Sequence, residues 1–436
     1  MLGVIGVLIA LALVMYLAYR GWGIIPASLI CALIVLITNG GGLWNGLATN
    51  YGDGFKYFAG TYFLLFILGS LFGKVMGDTG SASSISYKLI DWLGTKRVIL
   101  IMLLATVVLT YGGVSLFVVI FTVYPIGMVL FKQANVPKRI LCASVVAGAG
   151  TFTMTALPGT PQIQNIIPAQ ILGTTPMAAP VLGIIASLVM FFLCLFYLNR
   201  EARLAADNNE SYELGVTGTG LELAAADRAD LPDWRIALLP IVLVIGIIVV
   251  LKGKMDPLAS VAVAMSVATL VCYLSNMKKI QNPVKVLTEG ISIGIMPLIN
   301  TSAIVGFGFV VQKVPAFQSF VNFALGLSFD PIISAVFATN IVAGITGSSS
   351  GGLSIFLKTM GPEYLNLGVN PEVLHRISAI ASGGLDTLPH CGGIITVLMV
   401  MGLTHKQAYK GIFITSVLIP IVAVIVCVIL AMMGVK

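Results

Sequence analysis

Apolar residues run in long blocks along the chain, separated by short polar or glycine-rich joints. The blocks lie at 2–19, 23–38, 57–77, 139–172, 177–198, 236–251, 257–275, 290–311, 373–402 and 411–433. A helix needs about 20 mostly apolar residues to cross a hydrocarbon core about 30 Å thick, so the pattern predicts ten membrane spans. Two further apolar stretches, 98–131 and 331–357, are interrupted at Tyr111-Gly112-Gly113 and at Thr346-Gly347-Ser348-Ser349-Ser350-Gly351-Gly352. A break at membrane depth frees backbone groups that lipid cannot satisfy, so it belongs where protein or a water-filled cavity can. Each stretch is therefore expected to be a re-entrant hairpin of two short helices that returns to the side it left.

The polar joints test this count. With the N-terminus outside and both hairpins returning, 17 of the 24 Lys/Arg face the cytoplasm, among them Lys74, Lys132, Arg139, Arg200, Lys278 and Lys406. Lys358, Arg376 and the C-terminal Lys436 fall outside with the remainder. Read as full crossings, the hairpins would leave Lys132, Lys138 and Arg139 outside and weaken the positive-inside bias. The N-terminus is apolar from Leu2, with no basic region or small-residue cleavage site before Arg20, which predicts a retained first span.

Composition agrees. Hydrophobic residues make up 58% and charged residues 9% of the chain, and mean hydropathy is +1.02. Soluble domains carry roughly 25% charged residues, so an ordinary soluble fold is excluded. The net charge of +7 comes without an arginine-rich run, which argues against a nucleic-acid partner and fits cytoplasmic loops instead. Six cysteines stand singly in apolar stretches without a CxxC pair, so they read as small buried hydrophobes rather than disulfides or metal ligands. No HExxH, no GxSxG and no paired aspartates within spans point to an enzyme.

Residues 199–235 hold eight of the 17 acids and read as a solvated cytoplasmic linker between a first half, 1–198, and a second, 236–436. The halves follow one order. Phe72-Gly73 and Phe307-Gly308 each close a span, a glycine-tipped hairpin follows, and then comes a span interrupted by Leu-Pro. Five spans and one returning hairpin reverse the chain's side, so the expected fold is all-α with two inverted repeats. Paired broken helices in such repeats point to a midplane site and alternating access.

A polar solute in the membrane needs partners there. The first break offers Thr155, Gly159, Thr160 and Gln162, within a run that also holds Gln164 and Asn165. The second offers Asp386, Thr387 and His390. The hairpin tips add Tyr111, Gly112, Gly113 and Ser115, and Ser348, Ser349, Ser350 and Gly351. Half-helix N-termini present free N–H groups to an anion. Asp386, a carboxylate inside an otherwise uncharged span, is the candidate for ion coupling, either as a proton carrier or as a sodium ligand beside unwound carbonyls. Asp78, ending the third span, is a second coupling or gating candidate. His375 and His405, near span ends, are given no chemical role.

The run Leu71-Phe72-Gly73-Lys74-Val75-Met76-Gly77-Asp78-Thr79-Gly80, followed by the break Pro158-Gly159-Thr160-Pro161 and by Ile171-Leu172-Gly173, resembles the gluconate:proton symporter family of bacterial permeases. The resemblance implies a bacterial inner-membrane symporter of the ion transporter superfamily. It would move sugar acids or other small carboxylates by an elevator motion, often as a homodimer, with no cofactor beyond a coupling proton or sodium. Gly77 replaces the acidic residue usual before Asp78, and Thr160 separates Pro-Gly from Pro161. These departures widen the expected substrate from gluconate to short acids such as 3-hydroxybutyrate. A cation/proton antiporter is the alternative that Asp386 alone would serve.

Overall fold

The computed structural model describes residues 2–112, 114–212, 228–251, 254–280, 282–326 and 330–436, and no strand occurs among them. The first half runs α1 (Leu2–Tyr19), α2 (Ile24–Thr38), α3 (Leu43–Asp78), α4 (Ser81–Leu93), α5 (Val98–Tyr111), α6 (Leu116–Gln133), α7 (Lys138–Gly150), α8 (Ile163–Leu172) and α9 (Pro180–Asp207). The second runs α10 (Trp234–Leu251), α11 (Pro257–Ser275), α12 (Pro283–Lys313), α13 (Pro315–Leu325), α14 (Pro331–Thr346), α15 (Ser349–Thr359), α16 (Pro371–Ser382), α17 (Gly392–Met401) and α18 (His405–Met432). Long, short and broken helices alternate in the same order in both.

Among the described residues, eight helices are long and apolar enough to cross a membrane unaided. Seven of them, α1, α3, α9, α10, α11, α12 and α18, coincide with apolar blocks of the sequence; the eighth, α6, is the second arm of the first hairpin. Of the remaining blocks, α2 is 15 residues long, and α7/α8 and α16/α17 are interrupted. Val242, Val249 and Val250 of α10 are each more than half exposed. Such faces suit lipid rather than water, and the chain is a multi-pass membrane protein.

The hairpins fold back on themselves. The arms α5, α14 and α15 have 14, 16 and 11 residues. At about 1.5 Å per residue none reaches the ~30 Å of a hydrocarbon core. The start of the first hairpin follows α4 through one short turn, and its end returns to α4, where Gln133 donates to the Tyr87 hydroxyl at 3.1 Å. In the second, Ser334 in the first turn of α14 lies 2.8 Å from the Tyr364 hydroxyl, just beyond the end of α15.

The two hairpins open at opposite ends of the molecule. Residues 133–139, beyond the first, lie beside the end of α9 and the start of α18, through Arg139 with Glu201 and Glu210 and through the cavity they share with Lys406 and Lys410. Asp330 and Pro331, opening the second, share a cavity with Gly434 and Lys436 beyond the other end of α18. The 28 residues of α18 span about 42 Å between these faces.

Helix contacts come in matched pairs. α1 packs on α2 as α10 does on α11; α2 on α12 as α11 on α3; α5 on α7 as α14 on α16; α7 on α9 as α16 on α18; and α8 on α15 as α17 on α6. At the centre α3 crosses α12, and small residues let the backbones approach. A Cβ on Gly294 would lie 2.5 Å from Ser70 Oγ and 2.6 Å from the Phe66 carbonyl, and one on Gly290 would lie 2.9 Å from Leu71. Gly294→Val therefore pushes against backbone that cannot swing away. Overpacking of this kind costs about 1–3 kcal/mol, and a lowered unfolding midpoint in detergent is the expected result; an unchanged midpoint would mean that the two helices are not in close contact.

All six cysteines are buried and outside any disulfide. Arg376 departs from its sequence-stretch neighbours: expected at an outer span end, it is fully buried.

Candidate functional site

Two helices are broken for local reasons. Helix α7 stops at Gly150, where Thr151 leaves helical geometry (φ −119°, ψ −106°); the single turn Phe152–Thr155 follows, Pro158 and Pro161 withhold the donors that would extend that turn, and α8 begins at Ile163. Helix α16 stops at Ser382, and residues 383–391, with Gly383-Gly384 and Pro389, separate it from α17.

Both breaks meet both hairpin tips. Gln162 in the first break donates to the carbonyls of Thr110 (2.7 Å) and Val114 (3.3 Å) at the first tip. One turn on, Gln164 donates to Ser349 Oγ at 2.7 Å, binding the second tip. In the second break, His390 Nε2 lies 3.1 Å from the Gly344 carbonyl, and a Cβ on Gly347 would lie 2.9 Å from its ring. Gly347 also has φ +58°, which glycine adopts without strain. A Cβ on Gly393, opening α17, would lie 3.2 Å from Leu116 of the first tip, and one on Gly383 would lie 2.9 Å from Thr155. Tip, break, tip and break close into a ring. The N-termini of α6, α8, α15 and α17 all start on it.

The ring holds an unusual set of unpaired groups. Thr110 Oγ1, Ser115 Oγ, Asn340 Oδ1, Asp386 Oδ1 and His390 Nδ1 are buried without a hydrogen-bond partner among the described residues. Asn340 on α14 touches the second break, since a Cβ on Gly384 would collide with Asn340 Oδ1. The Asp386 carboxylate lies beside Ser349 and has no ion-pair partner among the described residues. Because a carbonyl can only accept, His390 Nε2 carries the proton, and Nδ1 is left as a bare acceptor. The second half thus brings three unpaired acceptors and the first half two hydroxyls able to donate. Leaving each such group dry costs about 1–3 kcal/mol.

The other candidates are differently engaged. Thr155 donates to the Thr151 carbonyl (2.9 Å), and Thr160 Oγ1 accepts from Asn165 at 2.6 Å. Thr387 donates to the Ser416 carbonyl of α18 at 2.9 Å, away from the ring. Ser348 caps α15 by accepting from the Gly351 N–H at 3.2 Å and lies 3.4 Å from Ser350 Oγ. Tyr111 is half exposed, with its hydroxyl 3.6 Å from a Cβ on Gly159, and Gly112 faces Ile245 of α10. Gly113 lies outside the described residues. Asp78 is not brought to the ring: it pairs with Lys74 at 3.1 Å, and Lys74 reaches Glu289 at 3.1 Å, tying the end of α3 to α12.

Three supporting residues were not marked for this role in the sequence. Arg376 donates to the carbonyls of Ala178 (3.0 Å), Ala156 (3.2 Å) and Pro176 (2.9 Å) and to Asn165 Oδ1 (2.7 Å), so one guanidinium holds both ends of the first break. His375 Nδ1 lies 2.7 Å from Thr174 Oγ1. His405 Nε2 lies 2.8 Å from the Pro389 carbonyl. Asn340 was likewise unmarked, although an amide within an apolar helix is itself a signal.

No protein-family model matches the chain. Over 444 residues it is 36% identical to the uncharacterized transporter YxjC of Bacillus subtilis (strain 168), covering 93% of this chain and 94% of that protein. It is 24% identical over 330 residues to an uncharacterized transporter of Haemophilus influenzae, covering 72% of each. Among solved structures, the YdaH transporter of Alcanivorax borkumensis superposes with a TM-score of 0.43 at 15% identity, over 89% of this chain and 88% of that one. With near-complete coverage at 36% identity, the chain belongs to the family of membrane transporters that includes YxjC.

Proposed function

We propose that this transporter is a secondary active carrier of a small hydroxycarboxylate, such as gluconate or 3-hydroxybutyrate, coupled to protons or sodium. One observation carries the reading: the buried, unpaired polar groups gather on the ring of tips and breaks, and they divide by chemistry. The acceptors Asp386, His390 and Asn340 suit a proton or cation. The hydroxyls of Thr110 and Ser115, with the N-termini of α6 and α8, suit a carboxylate. A hydroxyl on the substrate would bridge the two. The resemblance of residues 71–80 and 158–173 to gluconate permeases supports the same substrate class.

The matched helix contacts and the opposed hairpins support two inverted repeats related by a pseudo-two-fold axis. In this reading α1–α2 and α10–α11 form a scaffold, which is also the surface for a homodimer. The hairpins, breaks, α9 and α18 move as an elevator. The face bearing Arg139, Lys406 and Glu210 is cytoplasmic in a bacterial inner membrane, as is the linker 199–235, with both termini outside. A cation/proton antiporter is the second reading, favoured because Arg376, the cation at the first break, is already bound to three carbonyls and Asn165.

Purified protein in liposomes separates them. Under an inward proton or sodium gradient, at least one short hydroxycarboxylate is expected to accumulate with saturable kinetics. If no carboxylate accumulates under either gradient while sodium moves against protons, the antiporter reading replaces this one.

A further inference from the structure

A second polar cavity lies away from the ring, on the face where α7 begins, α9 ends and α18 begins. Its volume is about 320 Å³, and Arg139, Tyr197, Glu201, Glu210, Lys406 and Lys410 line it. Three features mark it as more than a surface dent. Lys406 and Lys410 fall at i and i+4 on the opening turns of α18, so both ammonium groups lie on one side of that helix. The hydroxyl of Tyr197, a residue 9% exposed, is buried without a hydrogen-bond partner among the described residues. Arg139 already binds oxyanions here, though they belong to the chain: Nη1 donates to Glu201 Oε2 at 3.1 Å, and Nε and Nη2 donate to Glu210 Oε2 at 3.0 and 2.9 Å.

The geometry points to a binding site for a phosphate group. Three cations face two carboxylates, leaving one positive charge unmatched in the lining. The donors of Arg139, Lys406, Lys410 and Tyr197 come from three helices, and a carboxylate has only two oxygens to offer them. A phosphate has enough oxygens for all four, and Arg and Lys together are its usual partners. The cavity exceeds the group itself, so a phosphate bearing an organic remainder fits as well. The two acids are not equal competitors. Glu201 is 10% exposed on α9, whereas Glu210 is 40% exposed at the start of the linker. The incoming phosphate displaces Glu210 and takes over its two bonds from Arg139. Next to this point Tyr212 donates its N–H to Asn135 Oδ1 at 3.1 Å and packs against the core, so occupancy loosens Glu210 at the start of the linker.

The group can come from the bulk phase or from an anionic lipid at the membrane surface, and one experiment separates the sources. The full chain is reconstituted in phosphatidylcholine nanodiscs and titrated calorimetrically with inorganic phosphate, and in parallel moved to nanodiscs containing phosphatidylglycerol. Saturable binding of inorganic phosphate is expected, weakened about tenfold by K406A/K410A, with a smaller loss in Tyr197→Phe. These lysines make no hydrogen bond or ion pair among the described residues, so the unfolding midpoint should hold. If phosphatidylglycerol alone raises the midpoint of the wild-type chain and K406A/K410A removes that rise, the site stands and its ligand is a lipid headgroup. Absence of both effects, or effects that K406A/K410A leaves intact, overturns the proposal.

Discussion

Replacing Asp386 with Asn is expected to abolish ion-driven accumulation while leaving the protein folded. The amide is nearly the same size, Asp386 makes no ion pair among the described residues, and the amide oxygen can still accept from Ser349 and the neighbouring backbone N–H groups. What disappears is the ability to change charge. A carboxylate carried through the bilayer must be neutralised by a proton or a cation, and that requirement ties solute movement to ion movement. Coupling free energies run at about 1–3 kcal/mol, or roughly 5–150-fold. Accumulation ratios of D386N should fall to the equilibrium value whichever gradient is applied. Because a buried carboxylate without a counter-charge is costly and its Oδ1 has no partner among the described residues, the unfolding midpoint should change by no more than the equivalent of about 1 kcal/mol. Asp386→Glu is expected to keep a fraction of the coupling. Uptake by D386N with unchanged pH and sodium dependence would remove Asp386 from the mechanism and leave His390 and Asn340 as the coupling acceptors.

The fold was legible where one local rule decided it. Long apolar runs became helices, and the breaks at Pro158, Pro161 and Pro389 fell where proline withholds a backbone donor. Two kinds of feature were not legible. Helix α3 begins at Leu43, although residues 43–56 are rich in glycine and polar side chains. It continues because Tyr51 is held 2.8 Å from Ser28 on α2 and packs on Gly306, contacts that local pattern does not encode. Helices α4 and α13 were likewise hidden, since a short amphipathic helix at a membrane face carries too weak an apolar signal to separate from a joint. The site divides in the same way. Glycine, serine and proline mark the tips and breaks by type, whereas the engagement of Thr387 with α18 and the burial of Arg376 depend on partners far away in the chain.

Arg376 yields the largest expected loss of stability. Its guanidinium reaches across about 200 residues of sequence to bond three carbonyls and one amide oxygen, all around the first break. The carbonyls belong to the non-helical residues 156 and 176–178, Pro176 also accepting from the Gly159 N–H at 2.9 Å, and no water-filled surface is at hand, since Arg376 is fully buried. Arg376→Ala strips the donors and leaves the acceptors dry, at about 1–3 kcal/mol for each that cannot find another partner. Even with partial relaxation the loss should exceed about 3 kcal/mol, the upper end of what most single substitutions cost. Arg376→Lys should recover part of it, because an ammonium can satisfy one or two acceptors but cannot span the fork. Arg376→Met separates packing from bonding: it fills much of the volume with no donor and should resemble the alanine variant. The measurement is thermal unfolding of purified protein with and without the transported solute. A substrate that bridges tips and breaks should stabilise the lysine variant by re-ordering the first break. If the methionine variant unfolds with the wild type, the guanidinium is a packing residue, and the first break holds its shape without it.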